Sequence, residues 1–246
     1  MKPNIFIVGP SGSGKSSSLR NLNPERTIIL NTEQKALPFR GSNKFKLNVP
    51  IANMEDFHVA FEKAIISEIA DTIVIESFTS MIEQQFLASG RSYSGFDLWA
   101  DYQAEIRRIL SRSKSTNKYI IFLGIDHIFE GVNGVEERCI AVQGALKKQI
   151  EKEFVIVLFT DMITNAEGVA EYRFITNKQK GYEHTGVKSP MEMLPPTMGN
   201  DLKEVIALCE KYYNEEEAAI VEPIVQATTV VVEPLRPVDG VDEITS

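Results

Sequence analysis

The sequence predicts an α/β domain, a mostly parallel central sheet with helices on both faces, followed by a disordered acidic C-terminal tail. Three observations lead there. Short runs rich in Ile, Val and Phe alternate with segments of helical period, a glycine-rich loop follows the first run, and the composition changes after Asn214. With 246 residues, 43% of them hydrophobic, the chain can bury a sizeable core.

The expected strands are Asn4 to Val8, Thr27 to Asn31, Thr72 to Ile75, Tyr119 to Ile125, Val155 to Phe159 and Tyr172 to Thr176. Asn53 is placed to cap a helix whose stripe includes Phe57, Phe61, Ile65 and Ile69, spaced by four. A second helix from Phe96 to Ser115 puts Trp99, Tyr102, Ile106, Ile109 and Leu110 on one face, as core residues. A final helix runs from Asp201 to Tyr213. The stretch from Ile128 to Cys139, rich in Gly and charge, reads as a mobile loop.

The domain boundary falls near residue 214, giving a body at 1–214 and a tail at 215–246. The tail holds eight acidic residues against Arg236 alone, a balance of -7, and three prolines with no amphipathic period. The whole chain carries -8, so the body is close to neutral at -1. That leaves it free to meet nucleic acid despite the acidic total. Cys139 and Cys209 have no CxxC neighbour, which argues against a disulfide framework or a zinc site. No apolar run approaches the length of a membrane span, and the expected location is the cytoplasm.

The strongest chemical signal is Gly9-Pro10-Ser11-Gly12-Ser13-Gly14-Lys15-Ser16, a full match to GxxxxGK[ST] between an apolar strand and an expected helix continuing through Ser17. Glycines let the backbone turn tightly around a phosphate and bring bare N–H groups close to it. Lys15 can reach the β- and γ-phosphates of ATP, and the Ser16 hydroxyl is the expected Mg2+ ligand. A second metal-holding acid is expected at the end of a neighbouring apolar strand, and Glu76 in Thr72-Ile73-Val74-Ile75-Glu76-Ser77 is the candidate. The alternative is that Glu76 caps a helix beginning at Ser77. Glu33 also follows an apolar strand, Ile28 to Asn31.

With these motifs the chain resembles the RecA-like ATPases, and within them the short bacteriophage ATPases of single-strand annealing and recombination. The resemblance spans most of residues 4 to 213. It implies that Glu33, in Leu30-Asn31-Thr32-Glu33-Gln34, polarises the attacking water. It matches Glu76 to the family's metal-holding acid, with Glu where Asp is usual. It makes His127 a sensor of the γ-phosphate, against a structural role for that histidine. It also implies that Lys178 and Lys180, in Asn177-Lys178-Gln179-Lys180-Gly181, complete the active site of a neighbouring subunit, against an ordinary solvated turn. The partners that follow are ATP, single-stranded DNA reached through residues 128–139, Lys147 and Lys148, and further copies of the chain in a ring or filament. If the chain is phage-encoded, its location is the bacterial host's cytoplasm. The alternative is a P-loop switch or assembly ATPase that acts on a protein, with the acidic tail as a possible docking segment and no DNA bound.

Overall fold

The computed structural model describes residues 2–131 and 134–214; the tail expected at 215–246 lies outside the described residues. The strands are β1 (Ile5–Val8), β2 (Thr27–Asn31), β3 (Asn48–Pro50), β4 (Thr72–Glu76), β5 (Tyr119–Gly124), β6 (Asp126–Glu130), β7 (Glu136–Ile140), β8 (Ile156–Thr164), β9 (Ala170–Ile175) and β10 (Thr197–Gly199). The α-helices are α1 (Met54–Ile66), α2 (Phe78–Ser89), α3 (Gly95–Ser113) and α4 (Leu202–Asn214).

Eight strands form one sheet in the order β10-β9-β8-β1-β5-β4-β2-β3. The six from β8 to β3 run parallel, and β9 and β10 add antiparallel pairs at one edge. The central strands are continuous apolar runs because the sheet is covered on both faces. Alternate side chains separate into two cores. Phe6, Leu30, Ile75, Phe122 and Phe159 face one side with Phe57 and Phe61 of α1, Met81 of α2 and Ile106 of α3. Ile5, Ile29, Val74, Leu123 and Leu158 face the other with Leu19 and with Leu202, Val205 and Cys209 of α4. Phe6, Phe78, Phe122 and Phe154 stack edge-to-face and face-to-face at 5.0–5.9 Å between centroids in the first core.

The structure moves several expected boundaries. The helix expected after the glycine-rich loop is a 3-10 helix of 6 residues, Ser16–Asn21. Three consecutive serines are weak α-formers, and their hydroxyls compete for backbone groups: Ser18 Oγ donates to the Lys15 carbonyl at 2.6 Å. Ile69 lies beyond the end of α1 and is exposed, and Trp99 is partly exposed on α3. The expected loop at 128–139 is instead largely the antiparallel hairpin β6–β7, whose charged residues are those of a solvent-facing ribbon.

The order of the sheet positions the site. The chain leaves β1 and returns three strand positions away at β2; β5 and β4 fill the gap, and β8 is added on the far side of β1. A crevice therefore opens at the carboxyl ends of the strands, where the direction of winding reverses. The glycine-rich loop follows β1, Glu33 follows β2, and Glu76 ends β4, so all three reach that same edge.

Candidate functional site

At the carboxyl edge lies a cleft of about 470 Å³, lined by the loop from Ser11 to Ser17, by Glu33 and Glu76, and by Ile125 and Tyr172. The loop is braced from below. Gly9 N–H donates to the Gly124 carbonyl of β5 at 3.3 Å. Ser13 Oγ donates to the Pro10 carbonyl at 2.7 Å and lies 2.5 Å from Thr160 Oγ1 of β8, which donates in turn to the Val8 carbonyl. A Cβ on Gly9 would sit 1.9 Å from Thr160 Oγ1, so no larger residue fits there. Gly12 and Gly14 adopt φ of 78° and 94°, a conformation only glycine takes at little cost.

Lys15 folds back along the loop, donating to the Gly9 and Pro10 carbonyls at 2.7 Å each. Burial lowers the pKa of its ammonium, while the charges of Glu76, Asp126 and Glu33 oppose that shift. Ser16 Oγ donates to Glu76 Oε1 at 2.6 Å. The other carboxylate oxygen, Oε2, is buried and without a hydrogen-bond partner among the described residues. Burial raises the Glu76 pKa, the Ser16 hydrogen bond lowers it, and the charge of Glu33 raises it further. A buried carboxylate with an orphaned oxygen, paired with a serine hydroxyl at a phosphate loop, is a donor set that fits a hard divalent cation. The N-cap position of α2 is Ser77, one residue after Glu76.

Glu33 accepts from Ser80 Oγ at 2.8 Å and from Lys35 Nζ at 2.9 Å. Burial pushes its pKa up, but the Lys35 and Ser80 hydrogen bonds outweigh this and hold it below the usual value. It is therefore an ionised, oriented carboxylate at neutral pH. Thr32 sets its position relative to Glu76. The Thr32 N–H donates to the Glu76 carbonyl at 2.5 Å, Ser77 N–H donates to Thr32 Oγ1 at 2.9 Å, and that hydroxyl donates to the Ser77 carbonyl at 2.8 Å. These bonds tie the segment after β2 to the end of β4.

The remaining candidates lie elsewhere. His127 is exposed on β6, stacked on Phe129 at 6.2 Å, and the cleft wall nearest it in sequence is Ile125. Its neighbour Asp126 is the residue whose charge acts on Lys15; Asp126 is paired with Arg138 of β7 at 2.7 Å, and its side chain is 5% exposed. Lys178 and Lys180 are exposed, and Lys178 lines a separate cavity beside the hairpin with Arg138 and Lys147. Thr32, Ser80, Thr160 and Asp126 carry no motif of their own, and the first three are polar residues next to apolar runs whose partners are distant in sequence.

A family model described as an AAA domain matches residues 1–187, about three quarters of the chain. The chain belongs to that family. In the sheet of this AAA domain the loop-bearing strand β1 is flanked by β5 and β8, and β4 lies between β5 and β2. The matched residues include the loop, Glu33, Glu76 and the hairpin, while β10 and α4 follow them. A search of curated proteins gave no match. Among solved structures, the crystal structure of the RadB recombinase is similar at 15% identity, over 76% of this chain and 91% of that chain, with a TM-score of 0.44. Among the described residues of the AAA domain and α4, no helix is long and apolar enough to cross a membrane.

Proposed function

We propose that this AAA domain binds and hydrolyses ATP with Mg2+, and does so as a recombination protein acting on single-stranded DNA. The observation that carries the nucleotide reading is the Ser16–Glu76 pair, with its orphaned Oε2, facing the same cleft as Lys15 and Glu33. Ser16 and Glu76 would hold the metal, which when bound neutralises charge on the β- and γ-phosphate oxygens. Lys15 exchanges its bonds to the Gly9 and Pro10 carbonyls for phosphate oxygens. Glu33, held by Ser80 and Lys35, orients a water for attack and accepts its proton as the bond from water to the γ-phosphorus forms and the bond from that phosphorus to the β–γ bridging oxygen breaks, with ADP leaving.

The DNA reading draws on the resemblance and on the surface of the hairpin. His127 stacks on Phe129, and Lys147 Nζ lies 3.7 Å from the centre of the Phe129 ring. Aromatic faces interleaved with cations suit unpaired bases and the phosphates between them. Lys178 and Lys180 are exposed and available to a second copy of the chain, where a cation would stabilise charge that develops on the γ-phosphate. Such trans completion makes the specific rate rise with protein concentration or with added single-stranded DNA. A purified chain assayed for phosphate release should show that rise, and Lys15→Ala should abolish turnover. Turnover that survives Lys15→Ala would overturn the cleft as the site. A rate insensitive to both concentration and DNA would favour the alternative, a P-loop switch acting on a protein partner.

A further inference from the structure

The two ends of the cleft differ in chemistry. On the β5, β4 and β2 side of β1 stand the carboxylates Glu76 and Glu33. On the opposite side, beyond β8, Tyr172 of β9 lines the cleft with its side chain 42% exposed. Its ring lies against the backbone of Gly14, where a Cβ would come within 2.9 Å of Tyr172 Cδ1. A glycine there lets the ring rest directly on the phosphate loop.

The ring is held from behind. Asn200 N–H donates to the Tyr172 carbonyl at 3.3 Å, and Arg20 Nη1 donates to the Asn200 carbonyl at 2.5 Å. The Asn200 side chain belongs to a residue only 4% exposed. Arg20 Nη1 faces its Oδ1 at 3.5 Å, which leaves Nδ2 as the free end of the amide. That Nδ2 has no hydrogen-bond partner in the structure, and it lies 3.3 Å from the place a Gly14 Cβ would take. Burying an amide donor without an acceptor is unfavourable, and the corner it occupies is the one Tyr172 covers.

We infer that the Tyr172 ring forms the subsite for the nucleoside half of a bound nucleotide, stacking on the base, with the buried Asn200 supporting the ring from behind. The inference rests on the reading of residues 9–16 as a triphosphate cradle. With the β- and γ-phosphates drawn to Lys15, the nucleoside leaves the loop on the side away from Glu33 and Glu76, and that side is the one Tyr172 occupies. A flat ring grips by area. It therefore favours purines over pyrimidines and reads little else of the base.

Calorimetric titration of the full chain with ATP, CTP and inorganic tripolyphosphate tests this, because tripolyphosphate fills the cradle and has no nucleoside. The unaltered chain should bind ATP more tightly than CTP, and ATP more tightly than tripolyphosphate. Tyr172→Ala should weaken ATP by about 5- to 100-fold, the range for loss of one base stack, and leave tripolyphosphate within about twofold. Tyr172→Phe, which keeps the ring, should retain ATP binding. Equal loss of ATP and tripolyphosphate in Tyr172→Ala would make the ring a support for the loop and overturn the subsite. So would unchanged ATP affinity in that variant. An unaltered chain that binds tripolyphosphate no less tightly than ATP overturns the subsite alone, whereas one that binds neither overturns the cradle as well.

Discussion

The candidate cleft and the β6–β7 hairpin meet where Ile125 lines the cleft one residue before the hairpin starts at Asp126, yet they are built on opposite principles. Several polar groups that set the shape of the cleft are braced: Ser13 by Thr160, Glu33 by Ser80, and the Glu76–Ser77 turn by Thr32. Its one orphaned carboxylate oxygen sits where a cation would bind. The hairpin keeps its polar groups toward solvent and offers His127, Ile128 and Glu130 on its surface. Its firm internal tie is the Asp126–Arg138 pair at its root, where Arg138 also lies over the Phe159 and Tyr182 rings. Rigid positioning suits phosphoryl chemistry, in which small displacements of charge are costly, while an open aromatic ribbon suits a long polymer with no fixed register. The root connects the two: Ile125 N–H donates to Thr79 Oγ1 of α2 at 3.0 Å.

Variants on each side sharpen that contrast. The largest effect is expected inside the cleft. Glu33→Gln keeps the shape and the Ser80 hydrogen bond but removes the proton acceptor, so turnover should fall by about 10²- to 10⁴-fold while ATP affinity stays near normal. Single-turnover phosphate release beside equilibrium ATP titration separates the two quantities. If affinity collapses with the rate, Glu33 is holding the site together and the cleft is less modular than it looks.

A middle-sized effect belongs to the hairpin. Phe129→Ala removes the ring that carries both His127 and Lys147, and should weaken single-stranded DNA binding by roughly 1–3 kcal/mol. Phosphate release without DNA should be unchanged. Fluorescence anisotropy with a labelled oligonucleotide measures the first, and a drop in the DNA-free rate would mean that the two regions are not separable.

The smallest effect is one of stability, and its sign runs against intuition. Glu76 has a folded-state pKa above the ordinary 4.5, so its neutral form favours the folded chain. That stability is complete below the unfolded value and is lost as pH rises through the folded one. Glu76→Gln, neutral at all pH, should therefore melt at a higher temperature than the unaltered chain at pH 7 without metal, on the order of a few °C, and the gap should close below pH 4.5. Thermal unfolding across pH checks the sign. The same variant should lose any Mg2+-dependent gain in ATP binding, the expected signature of a group kept for function at a cost in stability.

The parts of the molecule legible in the sequence are those whose cause is local. Ile5 to Val8 and Ile73 to Ile75 announce strands buried on both faces by being apolar without a break, and the spacing of Gly9, Gly14, Lys15 and Ser16 announces a phosphate loop because the backbone there needs those residues in that order. The hairpin was less legible, since strands such as Asp126–Glu130 and Glu136–Ile140 carry as much charge as a loop does. The three-residue β10 at Thr197–Gly199 is too short a run to read, whereas the helix after it was expected within a residue of its observed bounds. Sheet order was not legible at all, because continuous apolar strands are interchangeable in pattern and only their packing assigns neighbours. The same holds for the supports of the site: Ser13 meets Thr160 across 147 positions, Thr32 meets Ser77 across 45, and Arg20 meets Asn200 across 180. By itself the sequence determined which groups carry charge, phosphate affinity and strand-forming surface, since these are properties of neighbouring residues. Which of those groups stand together, with Glu76 left one oxygen short and Tyr172 laid on Gly14, was decided only when the parallel sheet brought the ends of distant strands to one edge.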